Sequence, residues 1–179
     1  MRSFPRSPKP RRQSRESKVY RRQPAVPTAS AYVDGLVMLG RRELSEMQVR
    51  QRLVRKGHSV EDVDEAITRL KAERALDDSR VAKAIARTDT SIKRRGKSRI
   101  KQDMSRAGIA SSTAREAIDE IFSEIDDDAL IDAALGKRLR HGRLIADDRE
   151  FARLYRYLMT QGFESDQALK LLRARRQPT

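Results

Sequence analysis

The chain has 179 residues and no cysteine, which excludes disulfides and thiolate metal sites. Its 40 Lys+Arg against 26 Asp+Glu give a net charge of +14, the balance of a protein that meets polyanions, most simply nucleic acid or an assembly built on it. Aromatic residues make up only 4% and charged residues 37%, so the core must be aliphatic and the shape rich in surface.

The first 27 residues stand apart. They hold nine cations and one acid, Glu16, a local charge of +8, and five of the six prolines. Such a segment cannot bury enough apolar surface to offset chain entropy, so 1–27 is expected to be a disordered basic tail. From Thr28 to Gln177 there is no proline, and no stretch alternates in the β manner, so the body is expected to be all-α.

The body repeats itself. Its first predicted helix runs through Tyr32, Leu36, Val37 and Leu39. A second follows a Ser45–Gln48 capping box and places Val49 and Leu53 four apart, with Gly57 four further on. The same frame returns as Ile100, Met104 and Gly108, and again as Leu154, Leu158 and Gly162. Each glycine is expected in left-handed conformation just past a helix, with His58, Ile109 or Phe163 folding back on the last turn. A further helix follows each glycine: Val60, Val63, Ile67 and Leu70, then Ala114, Ala117, Ile118 and Ile121, then Ala168, Leu169, Leu171 and Leu172. Ser59, Ser111–Ser112 and Ser165–Asp166 are the expected caps of these helices. Asp77–Asp78, Asp126–Asp127–Asp128 and Asp147–Asp148 each precede an apolar helical run, and capping is the expected role of these acids as well. The reading is an elongated array of three tandem three-helix repeats, 28–75, 76–125 and 126–179, behind the basic tail.

Nothing in the sequence assembles an active site. There is no Gly-rich phosphate loop and no nucleophile or zinc motif. The two histidines have bland readings: His58 is a packing residue and His141 a solvated helix end. No cofactor, no metal and no enzymatic activity are expected. No run of about 18 apolar residues exists and no apolar stretch follows the basic start, so neither a membrane span nor a secretory signal is expected, and the cytoplasm is the expected compartment.

The charge density points instead to binding. Lys93 to Lys101 carries six cations and no acid, across a turn and a helix start whose free N–H groups would add positive potential. Arg94, Arg95, Lys97, Arg99 and Lys101 are therefore the candidate central contact, flanked by Arg50, Arg55 and Lys56, with Arg138 and Arg140 further on. Aromatics for base stacking are scarce, which favours phosphate contacts or an acidic protein surface over base readout.

From about Ala31 to Leu172 the chain resembles the RecX family of bacterial regulators of the RecA recombinase. The resemblance is carried by Leu39-Gly40-Arg41-Arg42-Glu43-Leu44-Ser45, Leu53-Val54-Arg55-Lys56-Gly57 and Leu70 through Ala82 with its Leu76-Asp77-Asp78 junction. Arg95-Gly96-Lys97-Ser98-Arg99-Ile100, Ala107-Gly108-Ile109 and Gln161-Gly162-Phe163 extend it. The chain departs from the family pattern at Gln48-Val49, His58 and Val81. The resemblance implies three tandem three-helix units, acting as a monomer in the groove of the RecA–single-stranded DNA filament. It further implies inhibition of strand exchange, ATP hydrolysis and co-protease activity, with restraint of the SOS response. The rival readings are an autonomous DNA-binding protein, using helix-turn-helix-like pairs and the basic arm, and a purely structural adaptor.

Overall fold

The computed structural model describes residues 29–139 and 143–176. The expected tail, 1–27, and the candidates Arg140 and His141 lie outside the described residues. Among those described, nine α-helices follow one another: α1 Ala31–Leu39, α2 Glu46–Lys56, α3 Val60–Ala72, α4 Asp78–Thr88, α5 Lys97–Arg106, α6 Ser111–Phe122, α7 Asp127–Leu135, α8 Asp148–Gln161 and α9 Ser165–Ala174. One π-helical turn, Asp89–Lys93, continues α4. None of these helices is long and apolar enough to cross a membrane.

The sequence frame reappears as geometry. Val49, Leu53, Ile100, Met104, Leu154 and Leu158 are all buried. Gly57, Gly108 and Gly162 have φ of +102°, +79° and +83°. Each ends its helix with the same pair of bonds. His58, Ile109 and Phe163 donate N–H to Leu53, Met104 and Leu158, and the three glycines donate to Val54, Ser105 and Met159. The capping box at Ser45 and Gln48 forms, and Ser59, Asp77, Asp126 and Asp147 each accept backbone N–H groups at a helix start. Two caps fall elsewhere: α6 begins after Ala110 and α9 after Glu164, neither with a side-chain cap. Ser111 and Ser165 are already inside their helices.

Some residues of the expected apolar faces are turned outward, although Val63, Ile67 and Leu70 of α3 are buried as expected. Val60 is 61% exposed at the start of α3, and Leu36 and Val37 are exposed on α1. The cause on α1 is close packing: it meets α3 through Gly35, where a methyl would stand 2.7 Å from Leu70 Cδ1. The narrow buried side of α1 is thus Ala31, Asp34 and Gly35.

The apolar core falls into two parts. Nine buried residues, from Ala31 to Leu76, form one core among α1–α3. Twenty-two, from Val81 to Leu172, form a single core shared by α4–α9. Hydrogen-bonded junctions join the units through their middle helices, α2, α5 and α8. The C-terminal turn of α8 sits on the start of α5: Gly96 N–H donates to Gln161 O at 2.9 Å, and Ser98 N–H to Gly162 O at 3.2 Å. The C-terminal turn of α5 sits on the start of α2, where the Ser45 hydroxyl donates to Ala107 O. Asp78 reinforces this contact by accepting the Glu46 N–H at 2.8 Å. Asp127, one unit on, pairs with Lys97 at 3.3 Å. In the Leu-Asp-Asp junction, then, the first acid caps its own helix and the second reaches the preceding unit's middle helix.

Candidate polyanion interface

The structure spreads the sequence-selected cations over all three units and gives many of them internal partners. Arg50 on α2 pairs with Asp64 and lies 3.7 Å from Glu46. Lys56, at the end of α2, pairs with Asp34. Arg55 is exposed and has no ion-pair partner among the described residues. In the Lys93–Lys101 segment, Lys93 Nζ lies 2.6 Å from Asp89 and Arg95 lies 3.1 Å from the same carboxylate. Asp89 is fully buried, so these two cations balance an interior charge. Arg95 also pairs with Asp103, and Arg99 reaches Asp103 at 3.6 Å. Lys97 stands over the Phe122 ring at 4.9 Å besides meeting Asp127. Arg94 and Lys101 have no ion-pair partner among the described residues; Lys101 is exposed and Arg94 half-buried.

The helix start in this segment is not open to an anion. The Gly96 and Ser98 N–H groups are occupied by the α8 carbonyls. The potential expected from free N–H groups there is taken up inside the fold, with the negative end of α8 facing the positive end of α5.

An acid also explains the buried histidine among the described residues. His58 Nε2 lies 2.7 Å from Asp34 Oδ2, and both side chains are buried. The hydrogen bond from Lys56, aided by His58, holds the Asp34 carboxyl below the ordinary aspartate range against the opposing effect of burial. Asp34 was not legible as an interior charge, because its neighbours Tyr32, Val33 and Leu36 read as the apolar side of α1.

A denser basic surface lies on the third unit. Arg149, Arg153 and Arg156 follow one another at i, i+4 and i+7 on α8, and all three are exposed. Two adjoining cavities share Arg153 and Arg156: one of about 550 Å³ also lined by Lys137, Arg138, Tyr157 and Thr160, the other of about 500 Å³ also lined by Arg143, Arg149 and Glu150. Glu150 engages Arg143 at 3.3 Å and Arg153 at 3.1 Å. Lys137 Nζ donates to Ile92 O and Lys93 O, bridging to the π-helical turn. Arg138 stacks over Tyr157 at 5.0 Å. Arg138, Arg149 and Arg156 have no ion-pair partner among the described residues. The Lys93 segment is marked in the sequence by a run of adjacent cations, and this surface by the helical spacing of three arginines. Such a trough suits an extended chain of phosphates or carboxylates better than a compact ligand.

Comparison with known proteins agrees with this architecture. The profile of the first three-helix domain of RecX matches residues 31–70, and that of the second three-helix domain matches 77–118. A regulatory protein RecX from Syntrophotalea carbinolica is 30% identical over 141 residues, which is 78% of this chain and 92% of the relative. One from Chromobacterium violaceum is 33% identical over 129 residues, covering 72% and 80%. Among solved structures, a crystal structure of a regulatory protein RecX superposes with a TM-score of 0.70 at 22% identity, over 80% of this chain and 70% of that one. The crystal structure of RecX from Lactobacillus salivarius gives 0.64 at 20% identity, over 80% and 93%. The solved structures share the fold, and the curated relatives cover most of both sequences. The chain belongs to the RecX family of regulatory proteins.

Proposed function

We propose that this protein is a negative regulator of the RecA recombinase. It binds as a monomer in the groove of the RecA–single-stranded DNA filament and restrains ATP hydrolysis, strand exchange and co-protease activity. The units 28–75, 76–125 and 126–179 serve as successive contact modules. Beside the family membership, one observation supports this reading: cations without an ion-pair partner among the described residues occur in every unit, as Arg55, Arg94 and Lys101, and Arg138, Arg149 and Arg156. Several weak contacts spread along one rigid array gain avidity on a repeating target and little on an isolated site.

The experiment is inhibition of single-stranded-DNA-dependent RecA ATPase by the full chain and by two double variants, Arg94→Glu/Lys101→Glu and Arg149→Glu/Arg156→Glu. Each variant is expected to raise the concentration for half-inhibition at least about tenfold, the loss of two charge-assisted contacts. Their helix content should match that of the parent. Tight DNA binding without RecA, paired with no effect on the ATPase, would instead favour the autonomous DNA-binding reading.

A further inference from the structure

The junction between units leaves one of its own docking surfaces open. In the second and third units the left-handed turn that ends the middle helix is seated on the first turn of another middle helix. Gly108 packs on Met47 and its neighbour Ala107 accepts from Ser45; Gly162 packs on Arg99 and accepts from Ser98. The equivalent turn of the first unit, Lys56-Gly57-His58, ends α2 with the same bonds. Among the described residues, no helix start is bonded to its carbonyls.

Around this turn the surface changes character. Val54 and Val60 flank it and are 49% and 61% exposed. The corresponding residues are Ser105 and Ser111 in the second unit, and Met159, partly buried, and Ser165 in the third. The turn is tied to α1 by the His58–Asp34 contact, and α1 exposes Val33, Leu36 and Val37. Alignment of the buried pair Ala31 and Gly35 with Ala82 and Ala86 puts Ala84, Arg87 and Thr88 at those three places in the second unit. Of the seven large apolar side chains exposed among the described residues, five belong to this unit. The first unit therefore exposes large apolar side chains where the second carries Ser105, Ser111, Arg87 and Thr88.

We propose that the α2 C-terminal turn, with Val54 and Val60, docks on the first turn of a helix of the RecA protomer; this rests on the regulatory reading above. The occupant's chemistry follows from the two internal examples. It is a helix start with a small or hydroxylated cap residue, as Gly96 and Ser45 are, which presents N–H or hydroxyl donors to the Gly57 carbonyl end. Apolar neighbours on that helix cover the valines. The middle helices of a second copy do not supply it. The starts of α2 and α5 are already engaged, and at the matching place in α8 stands Glu150, buried one turn inside the helix and held by Arg143 and Arg153.

The test places a photo-crosslinking aromatic residue at Val54, and separately at Val60, in the full chain bound to RecA–single-stranded DNA filaments. The expected product joins this chain to the RecA polypeptide within the first turn of a helix. Val54→Lys, a substitution compatible with a helix C-terminus, should weaken co-sedimentation with the filament about tenfold while leaving helix content unchanged. Crosslinks to DNA alone, to a second copy or to no partner, from chains that still co-sediment, would overturn the docking proposal and leave the regulatory reading standing. Failure of the unmodified chain to co-sediment would overturn both.

Discussion

At the scale of single residues, the cations divide by what faces them. Arg95 stands between buried Asp89 and Asp103, so Arg95→Glu should destabilise the fold by about 3 kcal/mol, the cost of breaking a largely buried ion pair and setting a third carboxylate beside the two. Arg94→Glu, one residue earlier at a half-buried position with no ion-pair partner among the described residues, should cost only about 1 kcal/mol. Urea denaturation of the two variants checks the contrast. Asp34 gives a second test. Its carboxyl is held below the ordinary aspartate range, so the folded state binds the proton less readily than the unfolded one. Stability from this group is complete above the unfolded value, near 4, and is lost as pH falls through the lower folded value. Asp34→Asn should lower stability at neutral pH by about 2 kcal/mol, with Lys56 half exposed and the pair correspondingly weaker than a fully buried one. It should also flatten the acid limb of the stability profile. An unchanged acid limb would show that the Asp34 contacts contribute nothing.

At the scale of elements, the helix ends carry the design. Asp78→Ala removes the bond to Glu46 N–H between units, and should cost about 1 kcal/mol, the usual loss of a cap. Gly162→Ala should cost more. It forces φ of +83° on a residue with a Cβ and drives that carbon into the Arg99 backbone across the junction. Thermal melts of both variants, with Gly162→Ala the lower, check this order. Much of this level was legible in the sequence. The 49-53-57 frame, repeated at 100-104-108 and 154-158-162, marked the middle helices and their turns, because apolar spacing and a left-handed glycine are local properties. The junctions were not legible. One is made by bonds from Gly96 and Ser98 to Gln161 and Gly162, backbone groups that side-chain identity does not report, and the other by Ser45 and Asp78, whose partners lie 62 and 32 residues away in the chain. The arginine trough on α8 was written in the sequence as i, i+4, i+7 spacing, but adjacency in the chain is a poor guide to adjacency on a helix.

At the scale of the molecule, two cores of unequal size meet at hydrogen-bonded junctions. The nine-residue core of α1–α3 should open more readily than the shared core of α4–α9, so its amides should exchange faster in native-state hydrogen exchange. Charge follows a different division. The Lys93–Lys101 segment is largely neutralised within the fold, whereas the α7–α8 surface leaves Arg138, Arg149 and Arg156 to face a partner. The central claim is that these outward cations hold the protein on a RecA filament and thereby restrain it. The most direct measurement is the steady-state ATPase rate of RecA on single-stranded DNA, titrated with the parent chain and with Arg149→Glu/Arg156→Glu. The account predicts saturable inhibition by the parent and a curve displaced at least about tenfold for the variant. An unchanged ATPase rate with the parent, or superimposable curves for the two proteins, would contradict it.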